Sequence, residues 1–241
     1  MKKATLLLFV ILAIGSTSCI VGGWDKGISG NGNVEEETRD ISGFTGVLVS
    51  SGIDVILTEG DNFEVRVVAD ENLMEVIETS LNGKMLEVGT DRVNIRNAKS
   101  KKVYVTLPKL SALKISSAGD CKGQSVFHCD QLELGISSAG DLTLEVEANR
   151  IDLGISSSGD AKLAGKADVF NASLSSAGDL HAFDLVAGQV KVDVSSAGDA
   201  RVHATDEISM SASSAGNIHY KGDARVIKSS KSSAGDIVKK D

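Results

Sequence analysis

A five-residue motif, SSAGD, recurs through the second half of the chain, and it restricts the possible folds more than any other feature. Its first serines are spaced 18 to 21 residues apart. Self-similarity at such a near-fixed period predicts a repeat architecture in which one coil stacks on the next. The seven copies, two of them with one substitution, are Ser116–Asp120, Ser137–Asp141, Ser156–Asp160, Ser175–Asp179, Ser195–Asp199, Ser213–Asn217 and Ser232–Asp236.

Apolar residues keep a fixed position relative to the motif. The residue before its first serine is Ile115, Ile136, Ile155, Leu174 or Val194 in successive copies, and the residue after its aspartate is Cys121, Leu142, Ala161, Leu180 or Ala200. Alternation on both sides of the motif indicates short strands with one face inward. The sequence therefore predicts an all-β fold, a single-stranded parallel β-helix with coils of about 19–20 residues. We expect the motif to form a corner, with glycine supplying conformational freedom and aspartate bonding its own turn.

The pattern divides the chain into segments. Residues 44–241 form the predicted β-helical domain, in which 44–108 is an irregular N-terminal section and 109–241 holds the SSAGD coils. Within the first section, Ser50 to Asp54 resembles a degenerate first copy of the motif. Asp70 to Thr79 is predicted to be one short helix, capped by Asp70. Residues 19–43 are polar and glycine-rich, which predicts a flexible tether.

The N-terminus has the pattern of a targeting signal. Lys2 and Lys3 precede an apolar run from Thr5 to Ile14, which is too short for a typical membrane span. Small residues then precede Cys19, as in the lipobox of bacterial lipoproteins. We expect residues 1–18 to be removed and Cys19 to be lipidated; the alternative is an ordinary signal peptide with an incidental cysteine. The predicted location is the cell envelope, as an outer-membrane lipoprotein on either face of that membrane.

Charge and cysteine content limit the partners. The formal net charge of -8 disfavours nucleic acid. Cys121 is expected to point inward and Cys129 to lie in a turn, so a disulfide between them is not favoured. A metal site at Cys121, His128 and Cys129 lacks an evident fourth ligand. No cofactor is predicted.

Stacked coils would align the motif aspartates in one column, which we call the Asp ladder. Its predicted members are Asp120, Asp141, Asp160, Asp179, Asp199 and Asp236. Basic residues two positions later, such as Lys162 and Arg201, would form a neighbouring column and offset the repulsion. We therefore favour a structural ladder over a calcium site, since each coil supplies one carboxylate whereas calcium needs several oxygen ligands.

Catalysis has little support in the sequence. Coil length varies by only a few residues, so no long loops are available to build a cleft. No Gly-x-Ser-x-Gly elbow precedes a helix. We predict a non-enzymatic cell-envelope lipoprotein that presents a β-helical binding or adhesion surface. An envelope enzyme acting on polysaccharide and a self-assembling structural protein remain the alternatives.

Taken together, the stretch from Val47 through Ser50-Ser51-Gly52-Ile53-Asp54-Val55 and the later SSAGD coils resembles the head GIN domain family. This family is described as auto-transporter adhesins and occurs in lipoproteins and secreted proteins of Bacteroidota. The resemblance covers roughly residues 44 to 236 and implies a right-handed β-helix and an envelope location. It brings no catalytic residues. The expected partners are the membrane, through the lipid, and a protein, a glycan or another copy of the chain.

Overall fold

A computed structural model describes residues 27–91 and 93–241, and these residues form a β-solenoid. Its N-terminal section consists of β1 (Ile28–Ser29), β2 (Val34–Arg39), β3 (Gly46–Val49), β4 (Asp54–Glu59), β5 (Glu64–Asp70), a 3-10 helix (Glu71–Leu73), β6 (Ile77–Asn82), β7 (Met85–Thr90), β8 (Ile95–Arg96) and β9 (Lys101–Leu107). The coils follow as β10 (Ala112–Ile115), β11 (Asp120–Ile136), β12 (Asp141–Ile155), β13 (Asp160–Leu174), β14 (Asp179–Ser195), β15 (Asp199–Ser213), β16 (Asn217–Lys221), β17 (Arg225–Lys231) and β18 (Asp236–Lys239).

Successive coils pair as parallel strands in the register that the motif predicts. Ile136 lies beside Ile155, Ile155 beside Leu174, and Leu174 beside Val194. All four side chains are buried, as are those that follow each motif aspartate. The predicted parallel β-helix and its inward columns are confirmed. A narrow interior filled by Val, Ile, Leu and Ala explains how a chain with 4% aromatic residues can build its core.

The N-terminal section continues the same stack and then closes it. β3 pairs with β10, and β4 pairs with β11, so Ser50 to Asp54 forms a true corner of the solenoid. Beyond them, antiparallel pairing begins: β6 lies against β7, and β5 lies between β9 and β2. The change from parallel to antiparallel pairing ends the repeat.

The helix predicted over residues 70–79 is wrong. The described residues contain only the three-residue 3-10 helix there, and Ile77 already begins β6. Leu73, Met74 and Ile77 are all buried, so their spacing was correctly recognised as inward-facing. The segment does not continue as a helix because Ile77–Asn82 forms an antiparallel hairpin with β7. Gly83, whose φ is 60°, lies in the turn of this hairpin.

The tether prediction for residues 19–43 differs from the structure over the part that is described. β1 pairs with β8, and β2 pairs with β5 over its whole length, so the folded part begins before residue 44. Five of the six residues of β2 are exposed. An edge strand without alternating burial has no period-2 signal in its sequence.

The motif corner differs from its predicted chemistry. The left-handed residues are the second serine and, in most copies, the alanine, as in Ser138 (φ 52°) and Ala139 (φ 60°). Gly140 closes this turn by donating its N–H to the Ser137 carbonyl (3.2 Å) and has no positive φ. Two adjacent left-handed residues form a type I′ turn, a conformation that L-residues adopt only at some cost.

The motif glycine is instead required because the interior has no room for a side chain. A Cβ at Gly159 would lie 2.6 Å from Ile136 Cγ2, and one at Gly178 would lie 2.5 Å from Ile155 Cγ2. The isoleucine of one coil thus packs against the bare backbone of the next corner. Glycine here provides space, and the expectation that it provides conformational freedom is wrong.

We therefore expect Gly178→Ala to lower the melting temperature by about 2–10 °C, because overpacking a core typically costs about 1–3 kcal/mol. Gly154→Ala is the matched control. Gly154 is exposed, and a Cβ added there meets no atom within 4 Å. That variant should melt at or slightly above the wild-type temperature. Equal melting of the two variants in a thermal denaturation experiment would show that the corner is not tightly packed.

Candidate binding surfaces

The Asp ladder is present in the register predicted from the motif. Asp120 lies beside Asp141, and the column continues through the next three coils to Asn217 and Asp236. The ladder has one further member that was not predicted, Asp54, which lies beside Asp120 and is followed in the column by Lys102 of β9. Ser50 to Asp54, the degenerate first copy of the motif, carried the signal for it.

The predicted partners of the ladder are mostly not realised. Among the described ladder members, only Asp236 bonds its own turn, accepting from the Ile237 N–H at 2.8 Å, and only Asp236 forms an ion pair, with Lys231. The basic column lies in register beside the ladder, but Arg201 donates to the His181 ring (2.9 Å) and not to a ladder carboxylate. The ladder is therefore a run of closely spaced carboxylates with little direct compensation.

Repulsion within the ladder affects its ionisation. Partial burial raises the pKa of Asp120, and the neighbouring Asp54 carboxylate raises it further while Lys101 lowers it. Burial and the charge of Asp120 likewise raise the pKa of Asp141. Asn217 relieves this repulsion at one position, because its Nδ2 donates to Asp199 Oδ1 at 2.7 Å.

Asp141→Asn should therefore stabilise the protein at neutral pH. The change removes a like-charge contact and supplies a donor to the adjacent carboxylate, which should raise the melting temperature by about 1–3 °C. A raised folded-state pKa means that ionisation of Asp141 destabilises the fold above that pKa and ceases to do so as pH falls toward the ordinary value of 3.8. The gain should thus shrink between pH 7 and pH 4 in melting curves. A lower melting temperature for the variant at pH 7, together with a rise in melting temperature on adding calcium to the wild type but not to the variant, would instead assign the ladder to cation binding.

No cluster of three or more His, Cys, Asp or Glu residues in residues 27–91 and 93–241 is arranged to hold a metal ion. His128 does not join the cysteines. Its Nδ1 lies 2.8 Å from Glu59 Oε1, and this hydrogen bond raises the pKa of the imidazole.

The two described cysteines are free thiols, and both are buried. Cys129 lies in β11, so its predicted placement in a turn is wrong. Burial raises the pKa of Cys129 to about 11 and that of Cys121 still further, which leaves both thiols protonated and unreactive at neutral pH.

A second surface follows another corner of the coils, which we call the lateral groove. This groove of about 1080 Å³ is open to solvent and crosses the coils from β11 to β15. Apolar residues such as Val169 and Val186 form part of its lining. The polar side chains along it are Lys109, His128, Asp130, Glu147, Asn149, Lys166, Asp168, Gln189, Thr205 and Asp206. Asn149 donates to Asp130 Oδ1 at 3.0 Å.

The lateral groove is not among the features predicted above from the sequence. Asp130, Asn149 and Asp168 recur at 19-residue steps, and Asp206 follows two coils later. This is the period of the motif at a different offset, so aligning the exposed positions of each coil, as well as the apolar ones, would have found it. The arrangement offers hydrogen-bond donors and acceptors in a shallow, repetitive row, without a deep pocket.

Comparison with known families agrees with this architecture. Residues 43–224 match the family described as putative auto-transporter adhesin, head GIN domain. The chain belongs to this family. The match includes the irregular first section and the coils through β16, so the head GIN domain accounts for nearly all of the solenoid.

Solved structures share the head GIN domain fold. A putative adhesin from Bacteroides fragilis has a TM-score of 0.81 at 20% identity, with 88% of this chain and 99% of that chain covered. A putative adhesin from Parabacteroides distasonis has a TM-score of 0.73 at 22% identity, covering 88% and 99%. A second protein from that organism, described as a putative lipid binding protein, has a TM-score of 0.73 at 22% identity, covering 90% and 100%. At these identities the likeness concerns the fold.

No curated protein matches the chain. Membership of an adhesin family indicates a cell-surface or envelope protein. Within the described ranges, no helix is long and apolar enough to cross a bilayer. Cys19, the predicted lipidation site, lies outside those ranges.

Proposed function

We propose that this head GIN domain is a non-enzymatic adhesin of the cell envelope, anchored through a lipid on Cys19, and that the lateral groove is its binding surface. The observation that carries the proposal is the row of exposed polar side chains at one corner of five consecutive coils. Such a row suits an extended polar ligand, a glycan or a protein segment, that crosses several coils.

The lateral groove is a better candidate than the Asp ladder for two reasons. It is concave, as most ligand sites are, and none of the ladder aspartates lines it. It also mixes acidic, basic and amide side chains, so it can both donate and accept hydrogen bonds. The carboxylates of the ladder only accept when they are ionised.

The test compares two triple variants in the same coils. Asn149→Ala with Asp168→Ala and Gln189→Ala removes the centre of the groove, and all three residues are exposed. Thr143→Ala with Lys162→Ala and His181→Ala removes exposed residues beside the ladder and serves as the control. Both proteins are applied to arrays of oligosaccharides and immobilised matrix proteins. We expect the groove variant to lose at least about tenfold in affinity for any bound ligand and the control to keep it. The reverse result would move the binding surface to the ladder side.

The anchor is tested separately by Cys19→Ala. The variant should lack the lipid and leave the membrane fraction, since the lipid is its proposed attachment. Mass spectrometry of the N-terminal peptide and membrane fractionation measure this. Unchanged peptide mass and unchanged partitioning would contradict the lipoprotein assignment and leave the lateral groove proposal intact.

A further inference from the structure

The large exposed hydrophobic side chains of the described chain are concentrated at the two ends of the solenoid. There are five such residues: Val34, Leu81, Val186, Val226 and Ile227. Val34 lies in β2 and Leu81 in β6, at the N-terminal end. Val226 and Ile227 lie in β17, at the C-terminal end. Only Val186 lies on the side of the stack, in the lateral groove.

The same strands carry unpaired backbone edges. β17 pairs only with β15, and β18 pairs only with β16. At the other end, β6 pairs only with β7, and β2 pairs only with β5. Each described end therefore presents two strands whose outer N–H and C=O groups are free to bond a further strand.

The two ends carry opposite charge. β17, β18 and the two residues that follow β18 contain five basic and two acidic residues, whereas β2 and β6 contain four acidic residues and one basic residue. Some of these charges are paired within the end: Arg225 with Glu207, Lys231 with Asp236, Arg66 with Glu36 and Arg39 with Glu37. In the described part of the chain, Lys228, Lys239, Lys240, Glu35 and Glu78 form no ion pair, so the excess charge of each end persists.

The strand order relates the two ends geometrically. β17 and β6 lie at opposite ends of one row of stacked strands, and β18 and β2 lie at opposite ends of another. A second copy translated along the solenoid axis therefore brings its β6 over β17 and its β2 over β18. From the pairing directions, the first contact would be antiparallel and the second parallel.

We propose that this chain associates head to tail with a second copy of itself, its acidic β2–β6 end docking on the basic β17–β18 end of the next molecule. Two basic ends repel each other, as do two acidic ends, so charge selects the unlike pair. A contact of this kind joins two different surfaces and can extend into a filament. The lateral groove stays open along such a filament.

Crosslinking of the full chain distinguishes the possible contacts. Ser80→Cys places a thiol in β6, and Ser230→Cys places one in β17; both serines are exposed. The two variants, carrying tags of different size, are treated with a short bismaleimide alone and as a mixture. We expect a heterodimer in the mixture and no more crosslinking than wild type for each variant alone. Cys121 and Cys129 are buried, and the wild-type sample measures any reaction at Cys19.

Crosslinking of Ser80→Cys alone or of Ser230→Cys alone would show contact between like ends and overturn the proposal. No crosslink above wild type in any sample would overturn it as well. Circular dichroism of each variant verifies that it is folded, and a misfolded one is replaced by Asn82→Cys in β6 or Ser229→Cys in β17, which are also exposed positions.

Charge reversal supplies an independent measurement. The triple variant Lys228→Glu, Lys239→Glu and Lys240→Glu should self-associate at least about tenfold more weakly than the wild type in sedimentation velocity. Addition of about 0.5 M salt should likewise weaken self-association of the wild type, because salt screens the charges at the two ends. When the triple variant is mixed with a second protein that carries Glu35→Lys and Glu36→Lys, association between the two proteins should be restored. Lys122→Glu with Lys162→Glu and Lys191→Glu reverses three exposed lysines on the side of the solenoid, outside the lateral groove; it is the matched control and should not change association. Equal weakening by the control would show that net charge, and not the ends, drives association.

Discussion

Ile155→Asp should abolish folding or lower the melting temperature by more than any other single substitution considered. Ile155 is 2% exposed and lies between Ile136 and Leu174 in the central inward column. A carboxylate there would be buried without a partner, at a cost of several kcal/mol. It would also remove the Cγ2 that packs on Gly178. Because each coil is stabilised mainly by its neighbours, disruption in the centre separates the stack into two shorter pieces.

The matched control introduces the same residue one position earlier. Gly154→Asp places a carboxylate on an exposed backbone position with no atom within 4 Å of the new Cβ. We expect its melting temperature to lie within about 2 °C of wild type. Thermal denaturation followed by far-ultraviolet circular dichroism measures both variants. Similar melting of the two would contradict the inward assignment of Ile155.

Asp70→Ala should produce the second largest loss of stability. Asp70 is fully buried, and its carboxylate accepts from the backbone N–H groups of Gly32 (2.8 Å), Lys99 (3.0 Å) and Ser100 (2.9 Å). It thereby joins the segment after β1 to the loop before β9. Removal of the carboxylate leaves these N–H groups without their partner, and we expect the melting temperature to fall by about 10 °C or more.

Asp70→Asn should be intermediate, because the amide keeps one acceptor oxygen. Burial would raise the pKa of Asp70, but the three backbone N–H donors and the charge of Lys99 outweigh it and lower the pKa below 3.8. Its contribution is therefore present above pH 3.8 and is lost as pH falls through the folded-state pKa. The difference between wild type and Asp70→Asn should narrow below pH 4.

Hydrogen exchange locates the effect of Asp70. The amides of Gly32, Lys99 and Ser100 should exchange faster in Asp70→Ala, while those of β12 to β14 keep their protection. Asp61→Ala, which removes an exposed carboxylate from the same section, is the control and should leave exchange unchanged. Uniform loss of protection throughout the chain would contradict a local role for Asp70.

The coils were predictable because one constraint repeats in each of them. A small motif of fixed composition and an apolar residue on either side of it define both the corner and the register. A wrong assignment of inward and outward positions in one coil would therefore disagree with the assignment in the other coils. The segment around Asp70 lacks this redundancy. Leu73, Met74 and Ile77 fit a helical face as well as a turn followed by a strand, and only the pairing of β6 with β7 decides between them.

The chemistry of individual side chains was less predictable than their positions. The sequence places the Asp ladder beside a basic column, but pairing depends on side-chain conformations that register does not determine. Arg201 turns to His181, and the ladder keeps its repulsion. Similarly, glycine in a turn normally indicates a left-handed residue, whereas here the serine and alanine carry that conformation and glycine accommodates the preceding isoleucine.

Because the coils are nearly equal in length, the solenoid can become longer or shorter by one coil at a time. Each coil contacts chiefly the ones before and after it, and each adds about 4.8 Å to the stack. Duplication or deletion of one 19-residue segment between matching corners, such as Asp141 to Gly159, would therefore preserve every interior contact type while lengthening or shortening the row of groove residues. Genetic recombination between near-identical SSAGD segments provides a direct route to such changes. The distance that the solenoid extends from the membrane and the number of groove residues that contact a ligand would then increase or decrease together, and the fold would stay the same.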